Sequence, residues 1–117
     1  MDLKVFGLHR CSTCQKALTW LDESKIAYTF VDVKDAPLDP VRVANWSAAV
    51  GGWEKLINRS GYTWRGLALV DADNLNDARG VDLAVRNPSL IRRPVIEHGD
   101  GSVTVGFSEK IRAKLKP

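Results

Sequence analysis

The sequence predicts a single α/β domain in which a helical middle section interrupts a strand-rich frame. A β-α-β pattern occupies about the first thirty residues, and a β-β-α pattern closes the chain. Between them, apolar residues recur at helical spacing and strand signals are weak. We therefore expect one domain over residues 1–117 with a helical insertion at about 38–87.

The first three elements follow from a change in apolar periodicity. Residues 4–8 resemble a buried strand, and residues 26–33 are rich in β-branched and aromatic side chains. Between these strands, one face of a helix carries Cys14, Ala17, Leu18 and Leu21. Ser12 or Thr13 is the expected cap of this helix. Two strands joined by a helix form a parallel pair with a right-handed crossover.

The middle section contains several helix signals. Asp39-Pro40 has the form of an N-cap followed by proline at the first helical position, and Gly51-Gly52 has the form of a helix end. Helical spacing follows in the apolar residues Val43, Trp46 and Val50, and again in Trp53, Leu56 and Ile57. Trp46 and Trp53 are expected to be core anchors. A further helix is predicted over about 76–86, weakened by Gly80, whereas residues 62–70 are ambiguous.

The last section predicts a hairpin and a helix. Two short β-branched segments flank Gly99-Asp100-Gly101, which is a hairpin signal. The final helix is predicted over 108–116, with Ser108 as its cap and an apolar stripe that includes Ile111 and Leu115.

Composition excludes several functional classes. The chain is 44% hydrophobic and 26% charged, and its net charge of +3 is spread along the sequence. Nucleic-acid binding would need a concentrated basic stripe, so we expect no direct nucleic-acid contact. No apolar segment approaches the length of a membrane span or of a signal peptide. We expect a cytoplasmic, soluble monomer whose mildly basic surface tolerates anionic small molecules.

The strongest chemical signal is Cys11-Ser12-Thr13-Cys14, at the turn from the first strand into the first helix. Cys11 precedes the helix, where free N–H groups and the positive end of the helix dipole favour a thiolate. His9, Arg10 and Lys16 add positive charge nearby in sequence. Cys14 lies one turn later, on the core side, and can close a disulfide with Cys11. A redox pair is the favoured interpretation.

Two alternatives to redox chemistry remain open at this point. An inert pair is the first, and a zinc site is the second. Zinc is disfavoured because His9 and His98 are the remaining histidines, and His9 is too close to Cys11 for the usual ligand spacing. We expect no metal.

Two arginines are candidate anion ligands. Arg93 precedes Pro94, and a guanidinium suits a carboxylate or an oxyanion. The alternative interpretation of Arg93 is a surface arginine before a trans proline. The residues alone favour this alternative, because only about 5–6% of X–Pro bonds are cis. Arg59 is the weaker candidate, and a cation at the end of a short helix is its equally weighted alternative.

Four segments together resemble the arsenate-reductase-like (ArsC/Spx) family, and most of all its short YffB-type members. They are Phe6-Gly7 with residues 11–17, residues 52–65, residues 87–95 and Val105-Gly106-Phe107. The resemblance implies a thioredoxin-like fold with a four-stranded mixed sheet, a catalytic Cys11 and a cis Pro94. It also implies that Arg93 and Arg59 match the oxyanion-binding arginines of arsenate reductases. Ser12 and Lys16, beside the cysteines, complete the predicted anion-binding set.

The sequence departs from arsenate reductases at two places. Their third arginine is replaced in the region Val105-Gly106-Phe107, and they lack a second cysteine at the position of Cys14. The resemblance therefore favours a thiol–disulfide oxidoreductase, with Cys11 as nucleophile and Cys14 as resolving thiol. No bound cofactor is expected; glutathione or thioredoxin would supply electrons, and a small thiol or oxyanion would be the substrate.

Two other functions are implied by the same resemblance. The Cys-x-x-Cys pair is similar to that of Spx, a redox-sensing transcription regulator that docks on the RNA polymerase α C-terminal domain, and Gly52 falls near the polymerase-contacting glycine of that group. A genuine arsenate reductase is the other alternative.

Overall fold

A computed structural model describes residues 3–35, 37–59, 61–67 and 75–115. Its elements are β1 (Lys4–Gly7), α1 (Ser12–Glu23), β2 (Thr29–Asp32), α2 (Pro40–Val50), α3 (Trp53–Leu56), α4 (Tyr62–Arg65), α5 (Asp77–Arg86), a 3-10 turn (Pro88–Leu90), β3 (Val95–Glu97), β4 (Val103–Val105) and α6 (Glu109–Leu115). The chain divides into two compact units, the first formed by residues 1–35 and 93–117 and the second by residues 36–92.

The first unit is built on a four-stranded mixed sheet with the strand order β2-β1-β3-β4. Strand β1 pairs with β2 in parallel, and the β1–β3 and β3–β4 pairs are antiparallel. The predicted β-α-β and β-β-α patterns are therefore confirmed, as is the mixed sheet.

One hydrophobic cluster joins the sheet of the first unit to its helices. Its buried members are Leu3, Val5, Leu21, Ile96 and Leu115, and Leu18, Phe107 and Ile111 pack against them. Each fully buried leucine or isoleucine side chain stabilises the fold by about 1.5–3 kcal/mol. The i, i+3, i+4 spacing of α1 thus places Cys14, Ala17 and Leu21 on its buried face, as predicted.

Helix α2 of the second unit begins and ends where the sequence predicts. Asp39 is its N-cap, and the carboxylate of Asp39 accepts a hydrogen bond of 3.0 Å from the N–H of Val41. Gly51 ends the helix in the left-handed conformation, with φ of 103°. Buried residues of this unit include Val43, Trp46, Leu56, Ile57, Leu83 and Leu90, so Trp46 is the core anchor that was predicted.

Helix α5 shows why a glycine lies inside a helical segment. The sequence predicts that Gly80 weakens this helix, yet a Cβ at Gly80 would lie 2.6 Å from the Cβ of Trp53. Glycine is therefore needed for the close approach of Trp53 to α5. The helix begins at Asn76, whose side chain accepts a hydrogen bond from the N–H of Arg79.

The structure corrects the predicted cap of α1 and describes part of the segment that the sequence left ambiguous. Ser12 or Thr13 was expected to cap α1, but the N-cap is Cys11, because the chain enters helical geometry one residue earlier than the polarity of Ser12 suggests. Part of the ambiguous segment is α4, whereas residues 68–74 lie outside the described residues. In the part of the chain that is described, no helix is both long and apolar enough to cross a bilayer. The single-domain assignment stays a prediction.

Candidate redox site

The turn between β1 and α1 is held by hydrogen bonds on both sides of Cys11. The N–H of Cys11 donates to the carbonyl of Leu8 at 3.1 Å, and the carbonyl of Cys11 accepts from the N–H of Gln15 at 2.9 Å. The side-chain amide of Gln15 then donates to the carbonyl of His9 at 2.8 Å. These bonds fix the backbone position of Cys11 at the start of the helix.

The two cysteines lie in different environments although they are three residues apart. Cys11 is half-buried, Cys14 is completely buried, and both are free thiols. Cys11 has extended backbone angles as the N-cap of α1, whereas Cys14 points from the first turn into the core. The expectation that Cys14 is the more protected sulfur is confirmed.

The Arg93–Pro94 segment reaches the same turn through the sheet. Strand β3 runs antiparallel to β1 with Phe6 opposite Val95, so the residues just before Val95 lie beside the end of β1. The peptide bond between Arg93 and Pro94 is cis, as the family resemblance implies. The side chain of Arg93 lowers the pKa of the Cys11 thiol, which places a guanidinium near this sulfur.

Several groups compete to set the pKa of Cys11. Burial raises the pKa, and it is the largest single influence. The N–H of Cys14, the Arg93 side chain, the Cys14 thiol and the N–H of Thr13 all favour the thiolate, and together they outweigh burial. The pKa of Cys11 is therefore lowered from its ordinary value, which makes this thiol a better nucleophile at neutral pH.

The pKa of Cys14 shifts in the opposite direction. Burial raises it, and the neighbouring Cys11 sulfur adds to the increase, so the pKa of Cys14 reaches about 11 despite the N–H of Leu8 and the charge of Arg93. One thiol of the pair thus favours ionisation and the other stays protonated. This is the division that an attacking thiol and a resolving thiol require.

Gly7 makes room for the second sulfur. A Cβ at this position would lie 2.5 Å from Sγ of Cys14 and 3.6 Å from the ring of Phe30. In the sequence Gly7 served only as a marker of family resemblance, and this contact was missed. A glycine at the end of a strand before Cys-x-x-Cys is the signal that could have indicated it.

Arg59 belongs to the second unit and has partners of its own there. Its guanidinium is 3.7 Å from the carboxylate of Glu54 and 5.7 Å from the centre of the Trp53 ring. These contacts fit the alternative of a cation at the end of a short helix. An anion-binding role for Arg59 stays a prediction.

Ser12 and Lys16 are exposed on α1. With Thr13 they line an open groove that extends from the Cys-x-x-Cys turn along the helix. Their position agrees with contact to a substrate, and their role in anion binding stays a prediction.

The structure also brings together a cluster that sequence reasoning missed. Ligand atoms of His9, Asp32 and Asp35 lie within 4.8 Å of one another. The Asp32 carboxylate accepts from the N–H groups of His9 and Lys34, and these bonds lower the pKa of Asp32. Because β1 and β2 are parallel, Asp32 at the end of β2 and His9 just after β1 lie at the same edge of the sheet. The predicted parallel pair was the sequence signal from which this cluster could have been inferred.

A mixed sheet of this strand order, with a cis proline beside a Cys-x-x-Cys pair at the start of the first helix, defines a thioredoxin-like protein. The chain belongs to the ArsC family, whose profile matches residues 6–114. The predicted family and fold are therefore confirmed.

Relatives of the chain include an uncharacterised protein and a transcriptional regulator. An uncharacterised protein of Haemophilus influenzae is 32% identical over 108 residues, which cover 92% of this chain and 93% of the relative. The global transcriptional regulator Spx of Streptococcus agalactiae is 32% identical over 107 residues, 90% of this chain and 77% of the regulator.

Two solved structures are similar to this chain in both sequence and fold. A protein named YFFB is 37% identical with a TM-score of 0.91, over 98% of this chain and 99% of that one. An arsenate reductase (ArsC) related protein of Brucella melitensis is 35% identical with a TM-score of 0.76, over 97% of this chain and 93% of that one.

Proposed function

We propose that this protein is a cytoplasmic thiol–disulfide oxidoreductase that reduces disulfides or oxyanions with electrons from glutathione or thioredoxin. The observation that carries the proposal is the opposite pKa shift of two thiols one helical turn apart. The lowered pKa of Cys11 supports its role as the thiol that attacks the substrate disulfide. The raised pKa of Cys14 supports its role as the thiol that later releases the bound substrate from Cys11.

The reaction follows from this division of roles. The Cys11 thiolate attacks one sulfur of a disulfide RS–SR′, forms a Cys11–SR mixed disulfide, and expels R′S⁻, which takes up a proton. Cys14 then loses its proton and attacks Sγ of Cys11, which expels RS⁻ and leaves a Cys11–Cys14 disulfide. The protein has lost two electrons and two protons, and the substrate has become RSH and R′SH. Two glutathione molecules, or one dithiol of thioredoxin, then return two electrons and two protons to the Cys11–Cys14 disulfide.

Arg93 has two roles in this proposal. Its guanidinium favours the Cys11 thiolate, and in the mixed disulfide it would hold a carboxylate or oxyanion of the substrate. Ser12 and Lys16 line the groove at the start of α1. The proposal depends on Arg93 and does not require Arg59.

The test traps the first intermediate. A Cys14→Ser variant incubated with a neutral disulfide should accumulate a mixed disulfide on Cys11, visible as one substrate adduct by intact-protein mass spectrometry. The wild type should turn over with glutathione or thioredoxin, and Cys11→Ser should do neither. Parallel reactions with arsenate separate an arsenate reductase from a disulfide reductase. Equal turnover by Cys11→Ser and the wild type would refute the assignment.

A second candidate is a redox-sensing regulator that binds RNA polymerase. It is favoured by the similarity to Spx, which covers 90% of this chain. The same cysteine pair would then report oxidation instead of serving turnover. Pull-down of the purified polymerase α C-terminal domain by reduced and oxidised protein tests this function. Binding that changes with oxidation supports the regulator, and no binding in either state excludes it.

A further inference from the structure

The outer side of α1 carries a groove that starts at the Cys-x-x-Cys turn. One wall is the exposed face of α1 from Ser12 to Glu23, and the other contains Phe107 and Arg112. Its volume is about 660 Å³. All of these residues belong to the first unit. The groove begins at Ser12, the residue next to Cys11 in the chain.

The centre of the groove is aromatic. The rings of Trp20 and Phe107 meet edge to face with their centres 5.7 Å apart. The guanidinium of Arg112 lies 5.4 Å from the centre of the Phe107 ring, and it is 3.8 Å from Glu109. Arg112 is thus partly neutralised and serves to cover the ring. An apolar side chain is the natural occupant of this position.

Opposite charges mark the two ends of the groove. Lys16 lies five residues after Cys11, and Glu23 lies in the last turn of α1. Within the described ranges neither side chain has an ion-pair partner. The order along the groove, starting from Cys11, is therefore positive, aromatic and negative.

The length of the groove matches a peptide better than a small thiol. The twelve residues of α1 extend over about 17 Å at about 1.5 Å each. An extended peptide advances about 3.3 Å per residue, so it needs about five to six residues to pass from Cys11 to the far end of α1. A tripeptide such as glutathione would fill only the part next to Cys11.

The spacing of the groove residues selects particular positions of such a peptide. Along the helix axis, Lys16, Trp20 and Glu23 lie about 7.5, 13.5 and 18 Å beyond Cys11. An extended chain reaches these distances at about its second, fourth and sixth residue from the reacting cysteine. Alternate residues of an extended chain point to the same side, so all three can face the groove at once.

We propose that this groove binds an extended segment of a protein disulfide substrate, with an acidic, an apolar and a basic side chain at the second, fourth and sixth residues from the reacting cysteine. The proposal rests on the thiol–disulfide exchange proposed above and adds no chemical step to it. It names a class of substrate: a protein thiol held in a disulfide, selected by the order of its neighbouring charges.

Two peptides of identical composition test the proposed order of charges. They are Cys-Ser-Glu-Ser-Leu-Ser-Lys and Cys-Ser-Lys-Ser-Leu-Ser-Glu, each carried as a mixed disulfide with 2-nitro-5-thiobenzoate and each also made in the reversed chain direction. Attack by reduced protein on the peptide sulfur releases the coloured thiolate. Second-order rate constants are measured with stoichiometric protein, so that no added reductant is needed.

The expected result is a preference for the peptide with glutamate near the cysteine. In at least one chain direction it should react about tenfold faster at low ionic strength, since two favourable surface charge pairs replace two unfavourable ones. The ratio should fall toward one at high salt. The double variant Lys16→Glu with Glu23→Lys should invert the ratio.

A matched control separates the groove from net charge. Lys110→Glu changes the net charge as Lys16→Glu does, but Lys110 is exposed on α6 and lies outside the groove. It should keep the wild-type ratio, whereas Lys16→Glu alone should lower it. A wild-type ratio within twofold of one in both chain directions would overturn the proposal, and so would a ratio that the double variant leaves unchanged.

The failure of this proposal can be distinguished from that of the proposed function. Reduction of bis(2-hydroxyethyl) disulfide, which carries no charge, reports exchange alone. If that substrate reacts and the peptides show no charge order, only the peptide groove is refuted. If no disulfide reacts, the oxidoreductase is refuted, and NMR shifts of Lys16 and Trp20 on titration with serine-for-cysteine peptides then decide whether the groove binds them.

Discussion

Helices α1 and α2 begin with nearly the same backbone geometry but with different side chains. The N-cap of α1, Cys11, has φ and ψ of −77° and 122°, and that of α2, Asp39, has −76° and 122°. The Asp39 carboxylate accepts a hydrogen bond from the N–H of Val41 and so satisfies one of the free donors of its helix. Cys11 leaves the donors of α1 facing a sulfur that is able to ionise. One helix start is capped by a carboxylate, and the other leaves its donors to a thiol whose pKa is lowered.

The lowered pKa of Cys11 therefore comes from its side chain and surroundings, because its backbone angles are nearly those of Asp39. The N–H groups of Cys14 and Thr13 favour the thiolate, as does Arg93, against the opposing effect of burial. A permanent carboxylate in the same place would use the same donors. Changing the side chain at α1 should therefore alter both reactivity and stability, whereas a change at α2 should alter stability alone.

The largest effect is expected when the cap of α2 is copied onto α1. A Cys11→Asp variant should lose at least about a thousandfold in the rate of disulfide reduction, because the nucleophile is gone. Its free energy of unfolding should exceed that of Cys11→Ala by about 1 kcal/mol, because an aspartate caps the helix and alanine does not. Turnover and urea denaturation measure the two effects. Equal stability of the two variants would show that this helix start does not accept a cap.

The two thiols should differ by about a hundredfold or more in alkylation rate near neutral pH. Raising the pKa of Cys14 to about 11 from its ordinary 9.0 lowers its thiolate fraction by about a hundredfold, and burial slows access further. The lowered pKa of Cys11 keeps its thiolate populated at lower pH. Iodoacetamide labelling of Cys14→Ser and Cys11→Ser variants against pH isolates each thiol. Comparable rates would contradict the division of roles.

A smaller effect is expected on the buried side of the α1 start. Gly7→Ala should destabilise the protein by about 1–3 kcal/mol, because its Cβ would overlap Sγ of Cys14. In a Cys14→Ala background the cost should be clearly lower, since the overlapping atom is removed. Urea denaturation of the four proteins in this double-mutant cycle measures the coupling. Additive losses would mean that the cost arises elsewhere.

The smallest effect is expected at the start of α2. Asp39→Ala should reduce the free energy of unfolding by about 1 kcal/mol, because the N–H of Val41 loses its acceptor. Asp39→Asn keeps an oxygen in the same place and should lose much less. Neither variant should alter the alkylation rate of Cys11. If Asp39→Asn reduced the free energy of unfolding as much as Asp39→Ala, the charge of Asp39, and not its hydrogen bond, would be what stabilises this helix start.

Local signals predicted most elements of the fold. The Asp39-Pro40 pair located the start of α2, and the spacing of Cys14, Ala17 and Leu21 located the buried face of α1. Such features succeed because caps and helical periodicity depend on residues close together in the chain. The cap of α1 was placed wrongly because the polarity of Ser12 suggested a cap, while the backbone makes its turn at Cys11.

Contacts between distant segments were harder to infer. Gly80 looked like a weak point of α5 by its propensity alone, and only the approach of Trp53 explains why it is there. The cis bond at Pro94 was inferred from resemblance and not from the residues themselves. Likewise, the cluster of His9, Asp32 and Asp35 depends on the parallel pairing of β1 with β2.

The sequence by itself determined the α/β pattern, the two cysteines one helical turn apart and the side of α1 on which Cys14 lies, because each depends on spacing within a few residues. The tertiary structure decided which thiol ionises more readily. That choice depends on burial of Cys14 in the core and on Arg93, which antiparallel pairing of β3 with β1 brings to Cys11 from about eighty residues away. Desolvation and charge act through space, and distances in space are set only when the chain has folded.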